Sequence, residues 1–265
     1  MTWNGFKGRA RRIDDADLPL LGLQIGVGED EIHAFIEAET RGSGFDAQGR
    51  PKILFERHKF YKYVAPEKRK AAVAAGLASP KPGGYGKESE QYGKLRRAIE
   101  IDEHAALLSC SWGLAQVMGF NCKLAGYDSV EAMVRAFMDD EEAHLRAAVN
   151  FIRNSRLDDE LRRHDWAGFA RGYNGENYRI NRYDEKLAAA YAKWSNIRDT
   201  PIPSSVDSKP AAPVQPKPVA PAPVPAPAST PPAAAPAVID RQAGKADWIT
   251  ALVNAIAALL KGPKK

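Results

Sequence analysis

Gly49-Arg50-Pro51-Lys52-Ile53-Leu54-Phe55-Glu56-Arg57-His58-Lys59-Phe60 is the stretch that breaks the pattern of the chain. From Lys52 to Phe60 it is a mixed apolar and basic run, and a strand or extended segment is expected there. On both sides the apolar spacing is helical. Residues 30–39 place Ile32, Phe35 and Ile36 on one face, and Gly42-Ser43-Gly44 ends that run. Residues 66–75 and 91–108 also read as helices, separated by a Pro80–Gly86 loop. Residues 129–152 carry a long apolar stripe of Met133, Val134, Phe137, Leu145, Ala148, Val149 and Ile152. Two more helices are expected over 158–171 and 185–194. The fold class is mainly α, with one small extended or β segment. No internal repeat is found.

Residues 201–238 hold 13 of the 19 prolines, mixed with Ala and Val, with three charged residues and no aromatics. Such a segment buries too little apolar surface to pack, so an extended polyproline-type linker is expected. Three units follow: a globular domain over 1–199, a linker over 200–238, and a tail over 239–265. In the tail, Trp248, Ile249, Leu252, Val253, Ile256, Leu259 and Leu260 recur at helical spacing, with Asp247 as a cap and Gly262-Pro263 as a stop. That helix is too short to span a bilayer. It fits a membrane surface, self-association, or return onto the globular domain.

The net charge of +5 is unevenly spread. Residues 1–200 hold 31 Lys and Arg against 30 Asp and Glu, and the remainder holds 7 against 3. The basic character belongs to the tail, where it serves either solubility or contact with anionic walls or lipids. No nucleic-acid partner is expected. The first 15 residues are polar and basic, without the apolar core of a secretory signal. No apolar run is long enough for a transmembrane helix. Cys110 and Cys122 have no metal-ligand spacing and read as free or buried thiols. The histidines His33, His104, His144 and His164 are scattered, so neither a metal nor any other cofactor is expected.

Three fragments carry chemistry. Glu39-Thr40 ends a helical pattern. Ser111-Trp112-Gly113-Leu114-Ala115-Gln116 reads as a turn, and Gly172-Tyr173-Asn174-Gly175 as a helix end. Cleaving a glycosidic bond needs a proton donor for the leaving oxygen. A carboxylic acid donates at neutral pH only where an apolar setting raises its pKa. Glu39 follows Phe35 and Ile36, sits at the negative end of a helix dipole and precedes a glycine break. Taken alone, such a glutamate is more often a solvated side chain. Gln116 offers both donors and acceptors to a sugar. Trp112 fits a sugar platform or, more simply, the core. Tyr173 is placed to hydrogen-bond toward the acid, and Asn174 tolerates a helix cap.

In this order the fragments resemble the Glu-Ser, Gly-Leu-Met-Gln and Ala-Tyr-Asn motifs of goose-type lysozymes and soluble lytic transglycosylases. Here Thr40 stands for Ser, Ala115 for Met and Gly172 for Ala. Over about residues 15–196, the run from Gly49 to Phe60, Gly44-Phe45, and Ser111-Trp112-Gly113 through Met118-Gly119-Phe120-Asn121 resemble the N-acetylmuramidase family of phage and prophage endolysins more closely. The resemblance implies a lysozyme-like helical fold, hydrolysis of the MurNAc-β-1,4-GlcNAc bond in peptidoglycan, and Glu39 as general acid. Glu56, in the signature run, is the candidate second carboxylate, as water activator or charge stabiliser. An ion pair that fixes the loop is the plainer role for it. Asp46 is a weaker candidate. His58 is expected either on substrate or in a packed ion pair. A wall enzyme made in the cytoplasm without a signal would reach its substrate through membrane holes or a secretion machine, as an endolysin or as an antibacterial effector. A lytic transglycosylase and a catalytically silent wall-binding protein are the alternatives.

Overall fold

A computed structural model describes residues 3–39 and 42–201. The expected linker and tail helix lie outside the described residues. The chain is mainly helical, as expected. Its helices are α1 (Asp17–Leu23), α2 (Glu29–Glu39), α3 (Arg57–Tyr63), α4 (Arg69–Ala74), α5 (Gln91–Ile101), α6 (Glu103–Leu108), α7 (Val130–Asp139), α8 (Glu141–Asn154), α9 (Asp158–Arg162), α10 (Trp166–Asn174) and α11 (Tyr183–Trp194). The strands are β1 (Ile53–Phe55), β2 (Cys110–Trp112) and β3 (Val117–Met118).

The strands form one antiparallel sheet in the order β1-β2-β3. Ile53 faces Trp112 and Phe55 faces Cys110, while Ser111 faces Met118. The extended reading of residues 52–60 holds only as far as Phe55. Glu56 keeps an extended backbone, and α3 starts at Arg57. The Gly-Leu-x-Gln turn is the tip of the β2–β3 hairpin. Gly113 takes φ +71° and Gln116 φ +50° there, a backbone that glycine adopts freely and glutamine only when held.

Three expected long helices are each broken in two, always at an aspartate. Residues 129–152 split at Asp140, whose backbone is extended (φ −151°, ψ 128°) and whose carboxylate caps the Glu142 N–H at 2.9 Å. The N-terminal arm forces this break. The Arg11 N–H donates to Asp139 C=O and the Glu141 N–H donates to Arg11 C=O, each at 2.9 Å. Arg11 Nε adds a 2.8 Å bond to the Asp140 carboxylate. The arm thus takes backbone groups that a continuous helix would pair internally. Residues 91–108 split at Asp102, whose carboxylate accepts from Ala105 N–H on one side and Ala65 N–H on the other. Residues 158–171 split where His164 turns left-handed (φ +54°) and Asp165 caps Gly168 N–H.

The core is continuous from the arm to the last helix. Trp3 stacks on Phe6, and Phe6 packs on Tyr92 and Trp112. α8 runs through the centre with Leu145, Ala148 and Ile152 fully enclosed. α2 lies between α1 and α11 and buries Ile32, Ala34 and Phe35. That packing fixes the end of α2, and with it Glu39. Among the described residues no helix is long and apolar enough to cross a membrane.

Candidate active site

Glu39 closes α2, and Asn174 closes α10. The two helix ends meet because Phe35 on α2 packs edge-on against Tyr173 at 5.2 Å and against Phe169 at 6.3 Å. Phe151 of α8 closes on Tyr173 from another side, at 5.9 Å. This aromatic contact is the floor beneath the acid. Asn174, fully buried, donates from Nδ2 to Glu39 Oε1 at 2.7 Å. Glu39 Oε2 is also buried and has no hydrogen-bond partner among the described residues. Gly175 then turns the chain away at φ +77°.

Burial raises the Glu39 pKa from 4.5 to about 7. The Asn174 hydrogen bond and the Lys186 ammonium on α11 oppose the rise without cancelling it. A desolvated carboxylic acid is costly to ionise, and one donor with one cation only partly offsets this. The result is an acid that still holds its proton near neutrality. Tyr173 lies close enough for the Glu39 charge to reinforce the effect of burial, which pushes its hydroxyl well above the ordinary range.

The other candidates sit differently. Gln116 spends its amide inside the hairpin. Nε2 donates to Lys52 C=O at 3.2 Å and Gly113 C=O at 2.8 Å, and Oε1 accepts from Ser111 Oγ at 2.7 Å. Both amide hydrogens are committed to the backbone, so Gln116 shapes the turn and offers a sugar no donor. Trp112 is completely enclosed and donates to Leu107 C=O at 3.1 Å. It shows no face to solvent and cannot serve as a sugar platform; the plainer reading, a core residue, is the one its burial matches.

Glu56 is 1% exposed. It packs beside His58, whose Nδ1 lies 3.2 Å from Oε2, and its charge acts on Tyr85 and Cys110. An enclosed carboxylate cannot activate bulk water, so the second-acid role expected of Glu56 is not matched by its surroundings. The two acids occupy separate settings: His58, Tyr85 and Cys110 for Glu56; Asn174, Tyr173 and Lys186 for Glu39. His58 accordingly lies in the Glu56 setting. Asp46 binds its own turn, accepting from Gln48 and Arg50 N–H groups and from Arg50 Nε at 2.7 Å. Among the described residues no group of three or more His, Cys, Asp or Glu is placed to hold a metal.

Sequence reasoning missed Lys186, Glu141 and His144. Lys186 carried no motif, and its relevance comes only from α11 packing on α2. Glu141 and His144 lay within what read as one uninterrupted helix.

A family model for N-acetylmuramidase matches residues 29–195. The chain belongs to the N-acetylmuramidase family. Among solved structures, the muramidase domain is similar to the crystal structure of Burkholderia AP3 phage endolysin, with 37% identity and a TM-score of 0.67. The likeness covers 70% of this chain and 73% of that one. A search of curated proteins found no match. This muramidase is a glycoside hydrolase of peptidoglycan. The matched span contains Glu39, the sheet and Asn174, so the helix-end pairing lies within the family's own domain.

Proposed function

We propose that this chain is an endolysin-like muramidase that hydrolyses the MurNAc-β-1,4-GlcNAc bond, with Glu39 as general acid. The observation that carries the reading is Glu39 itself. It is a buried carboxyl at a helix end, with one oxygen tied to Asn174, the other without a partner among the described residues, and a pKa near 7. A donor poised near the working pH is what general-acid catalysis requires. Asn174 and Tyr173 hold the acid, Lys186 tempers it, and Gln116 fixes the hairpin. Action on the cell wall after release from the cytoplasm, through membrane holes or a secretion machine, is part of the same proposal.

One observation favours a second reading, a lytic transglycosylase. Among the described residues, the charge that acts on Glu39 is that of Lys186, and no carboxylate acts on it. A transglycosylase needs no second acid, because the 6-hydroxyl of the substrate attacks. Mass spectrometry of released muropeptides separates the two. Reducing MurNAc ends establish hydrolysis, and 1,6-anhydro ends would replace it with transglycosylation. Sacculi bound without soluble fragments would mean a silent wall-binding protein.

A further inference from the structure

Ser43-Gly44 and the hairpin that carries Gln116 meet on the first turn of α8. Glu141, 3% exposed, accepts hydrogen bonds from Gly44 N–H, from Ser43 Oγ at 3.4 Å and from Ile13 N–H at 3.2 Å. Arg12 Nη1 adds a 3.2 Å contact. One turn on, His144 is wholly buried. Its Nδ1 accepts from Leu114 N–H at 3.1 Å, and Nε2 lies 2.7 Å from Phe137 C=O. The backbone donor on one side and the carbonyl on the other fix a neutral ring with its proton on Nε2.

Two glycines let the segments approach. A Cβ on Gly113 would lie 2.7 Å from His144 Cγ, and one on Gly44 would overlap Nδ1 and reach Leu114 N at 2.8 Å. Lys52 joins the same two segments through its backbone, donating to Gly44 C=O at 2.7 Å and accepting from Gly113 N–H at 2.8 Å. The charges acting on the imidazole are those of Glu141 and Asp140. What packs on it from the loop, the hairpin and α7 is Gly44, Phe45, Gly113 and Phe137, none of them titratable.

We propose that Glu141 and His144 are positioning residues of the muramidase reaction, clamping Ser43-Gly44 and the hairpin tip onto one helix turn and so setting the enclosure of the acid. The proposal rests on the reading of Glu39 as the acid. Neither residue touches the sugar. Each acts through backbone, Glu141 through Gly44 and Ile13 and His144 through Leu114.

The test compares His144→Asn with His144→Gln. The Asn carbonyl occupies the place of Nδ1 and still accepts from Leu114; the Gln side chain reaches toward Phe137 and abandons Leu114. Glu141→Gln, which turns a donor toward Ile13 N–H, and Ser43→Ala, a partly exposed change that leaves folding intact, accompany them. Initial rates on purified peptidoglycan are read from pH 4 to 9 in the full chain. His144→Gln and Glu141→Gln should lose about tenfold or more in kcat, and the limb set by Glu39 should move down toward its ordinary value. His144→Asn should stay within about threefold of the parent, with its limb in place. Ser43→Ala should show a smaller shift in the same direction.

Equal behaviour of Asn and Gln at position 144, or an unmoved limb in all of the variants, would overturn the proposal and leave a packing role. If the 144 and 141 variants do not fold, Ser43→Ala alone decides by the direction of its limb. Glu39→Gln is run beside them. If it stays active, the reading of the acid falls. If it is dead while the limb of the others is unmoved, only the clamp falls.

Discussion

Asn174 Nδ2 donates to one oxygen of Glu39 at 2.7 Å, and the other oxygen is buried without a partner among the described residues. An N–H facing Oε1 excludes a proton there, so the acid's proton resides on Oε2. The helix-end contact therefore does more than hold the side chain still. It selects which oxygen carries the proton. It also holds the ionised form left after donation, which Lys186 favours too.

Glu39→Gln should fold and keep the Asn174 contact, since the amide oxygen can still accept. Its rate on purified wall should fall on the order of a hundredfold or more. Retention of full lysis by a folded variant would remove Glu39 from the mechanism.

Asn174→Asp places a second carboxyl at hydrogen-bond distance from the first. Two such groups share one proton, so the affinity of the pair for it rises. The alkaline limb of the rate profile should move upward from about 7. Asn174→Ala should move it in the same direction, because a bond to the ionised form is lost, and should destabilise the fold by about 1–3 kcal/mol.

Glu39 and His144 should pull stability in opposite directions with pH. Glu39 binds its proton more tightly folded (about 7) than its ordinary value of 4.5. Its contribution is full below pH 4.5 and is lost as pH rises through 7. Burial lowers His144 from 6.5 to about 4. Its contribution is full above pH 6.5 and is lost as pH falls through 4. Each gap corresponds to about 3 kcal/mol. Between 4.5 and 6.5 the two slopes nearly cancel. Urea melts across pH should show Glu39→Gln gaining on the parent as pH rises, and His144→Gln gaining as pH falls.

Gln116→Ala should act through the hairpin. It removes three hydrogen bonds from a turn held in a left-handed backbone, so stability should drop by about 1–3 kcal/mol. Trp112→Phe should lower the melting temperature while leaving KM unchanged, since the indole touches core and not solvent. A rise in KM with an unchanged melting temperature would return Trp112 to the sugar.

Burial raises the Cys110 thiol well above its ordinary range, with Glu56 reinforcing it, and raises Cys122 as well. Both thiols are free and buried. An aromatic disulfide reagent should react slowly with the native protein and release both equivalents after denaturation. Fast native labelling at Cys110 would show that the pocket around Glu56 opens.

The helical class, the short β segment and the place of Glu39 at a helix end were legible because each rests on local pattern. Phe35 and Ile36 precede Glu39 at helical spacing, and the 49–60 run loses that spacing. The breaks at Asp102, Asp140 and Asp165 were hidden because apolar stripes continue across them. Yet an aspartate followed by acidic residues, as in Asp102-Glu103 and Asp140-Glu141-Glu142, is a cap signal that was available. The fate of Gln116 and Glu56 was not legible. Their residue types fit a substrate site, and only the partners brought by Lys52, His58 and Tyr85 show that the hairpin and the interior use them.

The N-terminal arm bears on how this domain is delimited. The family match starts at residue 29, but Arg11, Arg12 and Ile13 hold the α7–α8 break and the Glu141 carboxylate. A domain cut at the family boundary would leave that carboxylate buried with two of its partners missing. Trp3 and Phe6 would also leave an apolar hollow beside Trp112 and Tyr92. A self-sufficient enzyme should therefore be longer than the homologous segment and include Trp3, Phe6 and the Arg11–Ile13 contacts.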